Sequence, residues 1–231
     1  MKILSIAIAA ILVLAISSAR GQTDYSARKA TSRLTIGVGA SLGIAVGTGT
    51  IDSTLEAAPG VAYRFGLNAQ YPVNRVIGIL LAAGLEGRSV GVKVNEQLDT
   101  RVYSARYLYI EPAMSWSSFK LGVNIGLPMG GTEPVNTPYD SAFSETTRDM
   151  ADKALGMIIE PRLGASLVLI EERGWWLGLT IDVGLPITSF YDESYRASTA
   201  GLMEEDIPNT RLLNGHLGLT YQFAIPGVLG R

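Results

Sequence analysis

Apolar and polar residues alternate along much of this chain. In LLNGHLGLTYQF, residues 212–223, every second residue from Leu213 to Phe223 is apolar or glycine, and the residues between them are polar or glycine. Successive side chains of a β-strand point to opposite faces, so a period of two indicates a strand with one apolar and one polar face.

Seven further segments show the same alternation, so the pattern predicts eight strands. They cover residues 34–47, 60–72, 76–94, 101–117, 119–130, 154–171, 174–191 and 212–223. The connections at 73–75, 117–118 and 172–173 are tight, whereas those at 48–55, 95–100, 131–153 and 192–209 are longer. An even strand number with short turns at one end and long loops at the other is typical of outer-membrane barrels. The predicted fold class is all-β: an eight-stranded antiparallel up-and-down transmembrane β-barrel formed by residues 34–225, without a second domain.

Side-chain size and strand length predict that the apolar face points outward. The interior of an eight-stranded barrel is just wide enough to be filled by side chains, and only the face rich in glycine, serine, threonine and asparagine fits it. Most predicted segments run about 12 to 18 residues, whereas soluble strands are commonly about 5–6 residues long. The alternative is a secreted ligand-carrying barrel with an apolar cavity.

Aromatic residues near the strand ends support a membrane location. One predicted girdle, at the tight-turn end, consists of Trp116, Phe119, Trp175 and Phe223. The other, at the long-loop end, consists of Tyr103, Tyr107, Phe190 and Tyr191. Two such girdles are expected at the two interfaces of a bilayer.

The N-terminus predicts export. Lys2 precedes an apolar run at 3–16, and small residues precede the predicted cleavage after Gly21, so residues 1–21 read as a secretory signal peptide. The alternative, an uncleaved anchor, is disfavoured because a spanning helix needs about 20 apolar residues. We expect a periplasmic N-terminal segment at 22–33, a short C-terminal tail at 226–231 and a location in the bacterial outer membrane. The absence of cysteine excludes disulfides and thiolate metal sites.

Charged residues on the polar face predict a network inside the lumen. Four cations, four anions and one histidine share this face: Arg64, Arg88, Lys120, Arg162, Glu86, Glu111, Glu160, Asp182 and His216. Buried charges must be paired, and the balance of signs favours a structural, hydrogen-bonded filling. The alternatives are a proton or ion path and a catalytic pair of carboxylates.

The chemistry-bearing motifs predict no catalytic residue, metal or cofactor. His216, the single histidine, has no His-x-Ser pairing as in lipid A deacylases, and a serine distant in sequence stays an open possibility as its partner. A lone histidine is a weak metal ligand. The glycine-rich runs lack the Lys-Ser/Thr ending of a phosphate loop, and no basic stripe indicates nucleic-acid binding.

The two longest connections, 131–153 and 192–209, are rich in aspartate and glutamate. They predict solvated surface loops, or alternatively contacts with divalent cations at a lipopolysaccharide surface or with an unidentified protein partner. The even strand number predicts that the tight turns face the periplasm and the acidic loops face outside.

The segment RYLYIEPAMSW, 106–116, resembles the small outer-membrane β-barrel family of the Bacteroidota that includes PorT-like proteins. Tyr107, Leu108, Ile110 and Pro112 approximate a motif of that family, with Glu111 before the proline. A second copy, IIEPRLGAS, lies at 158–166, and NIGLPM (124–129) and DVGLPI (182–187) follow the two copies, as in a repeated hairpin.

Pro112 and Pro161 are expected at bulges or ladder breaks, because proline cannot donate to the ladder. Barrels of this kind commonly end on an aromatic residue read by the barrel-assembly machinery. Here Phe223 lies in the last predicted strand, but AIPGVLGR follows it.

These patterns together predict a non-enzymatic outer-membrane barrel with a structural, adhesive or assembly role. Its expected partners are outer-membrane lipid, lipopolysaccharide and the assembly machinery. The alternatives are an enzyme acting on lipid or peptide through lumen or rim carboxylates, and a narrow pore.

Overall fold

The computed structural model describes residues 34–48, 55–74, 76–94, 100–134, 147–150, 154–172, 174–192 and 211–225. The predicted signal peptide, the segment 22–33 and the tail 226–231 lie outside these residues. Ten strands are described, of which two are short. The eight long ones are β1 (Thr35–Thr48), β2 (Gly60–Pro72), β3 (Ile77–Val94), β4 (Thr100–Trp116), β5 (Phe119–Pro134), β6 (Ile158–Glu172), β7 (Trp175–Gly184) and β8 (Arg211–Ala224). None of the described residues forms a helix that is long and apolar enough to cross a membrane.

The long strands form a closed barrel. Each pairs antiparallel with its neighbours along the chain. The last strand closes the ring by pairing with the first, from Thr35↔Ala224 to Thr48↔Arg211. Closure removes every long exposed strand edge, which is the condition for a sheet in a bilayer. The predicted fold class is confirmed.

The two short strands lie within predicted loops. Leu55–Ala58 pairs with residues 91–94 of β3 and is separated from β2 by Pro59, which has no N–H to continue the ladder. Thr147–Asp149 pairs with the end of β5. The sheet therefore extends beyond the predicted strands at the long-loop end.

The paired part of β7 is much shorter than the predicted strand 174–191. Its registered pairs with β8 end at Asn214↔Gly184. Residues 185–192 continue to pair with the β6 side, where Leu185 N donates to Pro161 O at 3.0 Å, and an isolated bridge joins Leu155 to Tyr191. Residues 154–161 and 185–192 thus form a two-stranded ribbon, and 185–192 have no registered pairs with β8.

Neither predicted proline marks a β-bulge. The register shifts between Arg106 and Tyr107 on β4 and between Val168 and Ile170 on β6. Pro161 pairs with Val123 without a shift, and its missing N–H lies on the side of the ribbon, beyond the last registered pair of β6 and β7. At Pro112 the registered pairs with β5 are interrupted, so only there does a ladder break accompany the proline.

The apolar face points outward, as predicted. Leu42 is 69% exposed and Leu163 is 60% exposed, while Arg162 on the other face of the same strand is 0% exposed. We call the outward-facing leucine, isoleucine, valine and aromatic side chains of the eight strands the apolar belt. A continuous apolar surface around a closed barrel is suited to contact with lipid acyl chains.

Candidate functional site

The lumen has three layers from the long-loop end to the tight-turn end. An apolar cap closes the long-loop end, a charge layer fills the middle, and a polar vestibule lies towards the tight turns. The nine predicted lumen residues all point inward, and eight of them form the charge layer.

The centre of the charge layer is a square of two arginines and two glutamates. Arg88 contacts Glu86 at 2.6 Å (Nε to Oε1) and Glu160 at 2.6 Å (Nη1 to Oε2). Arg162 contacts Glu86 at 3.0 Å (Nη2 to Oε1) and Glu160 at 2.6 Å (Nε to Oε1). Each charge therefore has two neighbours of opposite sign, which is the arrangement that offsets the cost of burying them.

The strand period explains how the square forms. Glu86 and Arg88 are two residues apart on β3, and Glu160 and Arg162 are two apart on β6, so each pair shares the inward face. β3 and β6 are not neighbours, and their contacts reach across the lumen. The square ties distant parts of the barrel together.

Two asparagines complete the square. Asn124 Nδ2 donates to Glu86 Oε2 at 3.1 Å, and Asn214 Nδ2 donates to Glu160 Oε2 at 2.8 Å. Asn214 Oδ1 also accepts from Arg162 Nη2 at 3.0 Å. Sequence reasoning did not select these two residues, although both stand on the polar face of the alternation.

The other four charges continue the alternation of sign. Arg64 pairs with Glu111 and lies 3.8 Å from Glu86 (Nε to Oε2). Lys120 Nζ contacts Glu111 Oε1 at 2.9 Å and Asp182 Oδ1 at 2.5 Å. The Arg64 guanidinium also stacks on the ring of Tyr109, 3.6 Å from its centroid. All eight charges belong to one network with four of each sign.

His216 lies beside the network and has a serine neighbour. Its Nδ1 is 3.4 Å from Ser41 Oγ, and its Nε2 is 4.0 Å from Glu86 Oε1. A serine, a histidine and a carboxylate are the parts of a nucleophilic site. However, Glu86 already accepts from Arg88 and Asn124, so it is poorly placed to orient the imidazole.

The apolar cap corrects the prediction of an aromatic girdle at the long-loop end. Tyr107 is 1% exposed and points into the lumen, in phase with Glu111 rather than with the belt. Phe190 and Tyr191 are buried on the ribbon and pack with Leu212, and Tyr103 packs against the same cluster. All four aromatic residues were expected to face lipid, and this expectation is wrong. The cap includes Val90, Ala105, Tyr107, Met150, Ala154, Leu155, Ile158, Phe190, Tyr191 and Leu212.

The aromatic residues predicted at the tight-turn end have a different environment. Trp116, Phe119 and Phe223 are exposed on the outer surface. Trp175 is half-buried, with its ring 5.4 Å from that of Tyr221. Trp176, which was not predicted, points inward and is buried.

The vestibule is a cavity of about 120 Å³ between the charge layer and the tight turns. Lys120 and Asp182 line it at the charge layer, and Ser117 and Phe119 line it at the β4–β5 turn. Its remaining polar lining consists largely of neutral side chains: Ser41, Asn68, Gln70, Ser115, Ser166, Thr180, Thr220 and Gln222. Several are already paired, as in Asn68 Nδ2 to Thr220 Oγ1 at 3.2 Å and Gln70 Nε2 to Ser115 Oγ at 3.2 Å. The cavity is large enough for a few water molecules.

Among the described residues, no group of three or more histidine, aspartate and glutamate side chains is placed to hold a metal ion. The carboxylates of the charge layer form ion pairs and hydrogen bonds with arginine, lysine and asparagine side chains.

Comparison with known proteins gives distant structural matches. No family model and no curated protein matches the chain. Ail, the attachment invasion locus protein of Yersinia pestis, is 11% identical with a TM-score of 0.39, and the match covers 83% of this chain and 99% of Ail. Neisserial surface protein A is 11% identical with a TM-score of 0.41, covering 82% and 97%. The outer membrane protein OprG from Pseudomonas aeruginosa is 10% identical with a TM-score of 0.38, covering 85% and 98%. These likenesses are too distant to carry an argument about function.

The chain's own architecture carries the assignment. Its eight long antiparallel strands close into a barrel with an apolar outer surface and a charged interior, the inverse of a soluble protein. Antiparallel barrels with an even strand number and this inversion are built for the outer membrane of bacteria. The chain is an integral outer-membrane β-barrel protein, in agreement with the predicted location.

Proposed function

We propose that this barrel is a non-enzymatic protein whose lumen is a structural core and whose role, structural, adhesive or in assembly, is performed by its outer surfaces. The observation that supports this is the filling of the lumen. The apolar cap and the charge layer lie one below the other, and the charges are paired with one another. Because packed side chains fill the lumen, the loops and the lipid-facing surface are the parts of the barrel left to perform its function.

Conductance tests this proposal against a pore. We expect the wild-type protein in planar bilayers to show no stable conductance steps. A variant with Phe190→Ala and Tyr191→Ala removes two aromatic rings from the apolar cap. It should also show no conductance steps, because the charge layer still fills the lumen. Large, stable steps from the wild-type protein would overturn the proposal.

The proposed partners are outer-membrane lipid, lipopolysaccharide, the barrel-assembly machinery and a protein that contacts the acidic loops. Those loops, 131–153 and 192–209, lie largely outside the described residues. Purification from outer membranes in gentle detergent tests the protein partner. The expected result is a co-purifying protein that is lost when the acidic residues of 192–209 are changed to their amides. A second variant, with the acidic residues of 131–153 changed to their amides, is purified in the same way, and the amount of the co-purifying protein is compared between the two.

We also propose membership of the Bacteroidota family that includes PorT-like proteins. Its support is the sequence resemblance at 106–116 and the repeated Glu-Pro segments, Glu111-Pro112 and Glu160-Pro161. Both glutamates point into the charge layer, where Glu111 pairs with Lys120 and Glu160 pairs with Arg162. A family alignment in which both Glu-Pro pairs recur, with the glutamates on inward positions, would test it.

A second candidate, an enzyme of lipid or peptide substrates, is favoured by the distance of 3.4 Å between Ser41 Oγ and His216 Nδ1. Ser41 also lines the vestibule, which gives it a route to a substrate. Assays on lipid A and on peptides test this, with Ser41→Ala for a serine site and Glu111→Gln and Glu160→Gln for carboxylate chemistry. We expect no turnover by the wild-type protein. Turnover abolished by one of these substitutions in a folded barrel would favour the enzyme.

A further inference from the structure

The outer surface of the barrel carries a charged residue at the edge of the apolar belt. Arg106 lies on the outward face of β4, in phase with Leu108 and Ile110, and is exposed. Among the described outward side chains of β2, β3 and β4 it is the only charged one. It has no hydrogen-bond or ion-pair partner among the residues that the structure describes.

The position of Arg106 corresponds to an interface rather than to the centre of the bilayer. One outward position nearer the long-loop end, the facing residues are hydroxylic: Ser104 pairs with Ser89 and with Thr132. One position nearer the tight turns, Leu108 pairs with Leu85 and Leu127, which belong to the apolar belt. On β4 the large apolar side chains of the belt are therefore interrupted at Arg106 and Ser104, with Val102 beyond them, and we expect this change in polarity near the depth where lipid headgroups lie.

Arg106 lies between two glycines of the neighbouring strands. In the register, Arg106 pairs with Gly87 on one side and Gly130 on the other. A Cβ at Gly130 would be 3.9 Å from Arg106 Nη2, so the guanidinium lies beside bare backbone there. Between Arg106 and β2, the phenol ring of Tyr63 occupies the space that a side chain at Gly87 would need. An arginine and a tyrosine thus stand on either side of Gly87, which has no side chain of its own to separate them.

We propose that Arg106, with Tyr63 beside it, binds the phosphate of a lipid headgroup in the leaflet at the long-loop end, while the acyl chains of that lipid lie on Phe65, Leu85 and Leu108. Two observations favour a lipid over other occupants: the site continues directly into the apolar belt, and a guanidinium without a partner among the described side chains matches a phosphate in charge and geometry. The inference rests on the membrane location of the barrel and specifies a site for the proposed lipid partner.

Native mass spectrometry of the delipidated barrel in detergent tests the proposal with two lipids that differ only in the phosphate. These are dioleoyl phosphatidic acid and dioleoylglycerol. Arg106→Gln should weaken phosphatidic acid binding by about tenfold, the value of a charge-assisted pair. Arg106→Lys should retain most of the binding. Thr132→Val, a neighbouring outward position without charge, should leave it unchanged, and dioleoylglycerol should bind weakly to all four proteins.

Three results would overturn the proposal. The first is equal binding of phosphatidic acid by Arg106→Gln and the wild-type protein, with both barrels folded. The second is displacement of phosphatidic acid by an equal concentration of inorganic phosphate, which would show a phosphate site that does not use the belt. The third is a loss of dimer in Arg106→Gln with lipid binding unchanged, which would show that a second copy of the chain occupies the surface. None of these results bears on whether the lumen is closed or conducts, so the proposed function is tested separately.

Discussion

At the scale of single residues, Arg162 is fully buried between Glu86 and Glu160. The pair of contacts is not in itself a large source of stability, because desolvation of the charges offsets much of their attraction. Removing one partner is different, since it leaves Glu86 and Glu160 buried with a single arginine between them. The network makes the barrel sensitive to loss of any one cation of the square.

We predict that Arg162→Leu lowers the free energy of unfolding by about 3–5 kcal/mol. Urea unfolding of the refolded protein in lipid vesicles measures it. Lys120→Met is the matched control: Glu111 keeps its contact with Arg64, and Asp182 and Lys120 are partly exposed to the vestibule, so the loss should be smaller. Equally large losses would mean that water does not reach the carboxylates beside Lys120, and equally small losses would mean that water reaches the whole charge layer.

Inward-facing glycines give the strands room for the charge layer, and this effect belongs to the scale of the element. Gly184 ends β7 opposite Arg162 and Asn214. A methyl group there would run into the carboxylate of Glu160. By contrast, Gly215 on β8 faces outward, and the nearest atom to a Cβ there is 4.0 Å away.

We predict that Gly184→Ala destabilises the barrel by about 1–3 kcal/mol through overpacking. Gly215→Ala should be neutral or slightly stabilising, because alanine is the better strand residue where space allows. Comparing the urea midpoints of the two variants checks this. A neutral Gly184→Ala would show that the Glu160 carboxylate has another position available.

The outward face of a strand favours apolar side chains, whereas the inward face at the charge layer holds charged ones. Leu163 lies next to Arg162 on β6 but points outward and is 60% exposed, so its side chain faces lipid and not the charge layer. We predict that Leu163→Arg costs about 2–4 kcal/mol near the middle of the bilayer. Leu163→Ala should cost less, because lipid fills the space left. In vesicle unfolding, a Leu163→Arg variant as stable as wild type would argue that this face does not contact lipid.

At the scale of the whole molecule, closure and strand number determine orientation. β1 and β8 pair along their full length, so both ends of the barrel sequence emerge at the same side, that of the tight turns. We predict that protease added to whole cells cuts within 131–153 or 192–209. The turn sequences near Asn74 and Arg173 serve as the internal control and should be cut only after the cells are lysed. Cleavage confined to the turns in intact cells would mean that the barrel is inverted.

Most of the architecture could be predicted from the sequence because the alternation is long and regular. Strand number, closure and the outward direction of the apolar face all follow from a period of two over many residues and from the narrow interior of a small barrel. The same period put Glu86, Glu111, Glu160 and Arg162 on the inward face. The error over Tyr107 came from giving its aromatic character more weight than its phase, which already placed it inward.

The sequence by itself determined which side chains point into the barrel, because alternation along a strand is a local property. Only the tertiary structure decided which of them meet. The square of Glu86, Arg88, Glu160 and Arg162 joins two strands that are not neighbours, and Ser41 approaches His216 from the opposite end of the chain. It also decided that the ribbon forms and carries Phe190 and Tyr191 into the lumen. The reason is physical: burial of those rings depends on the width of a closed barrel, which no stretch of sequence contains by itself.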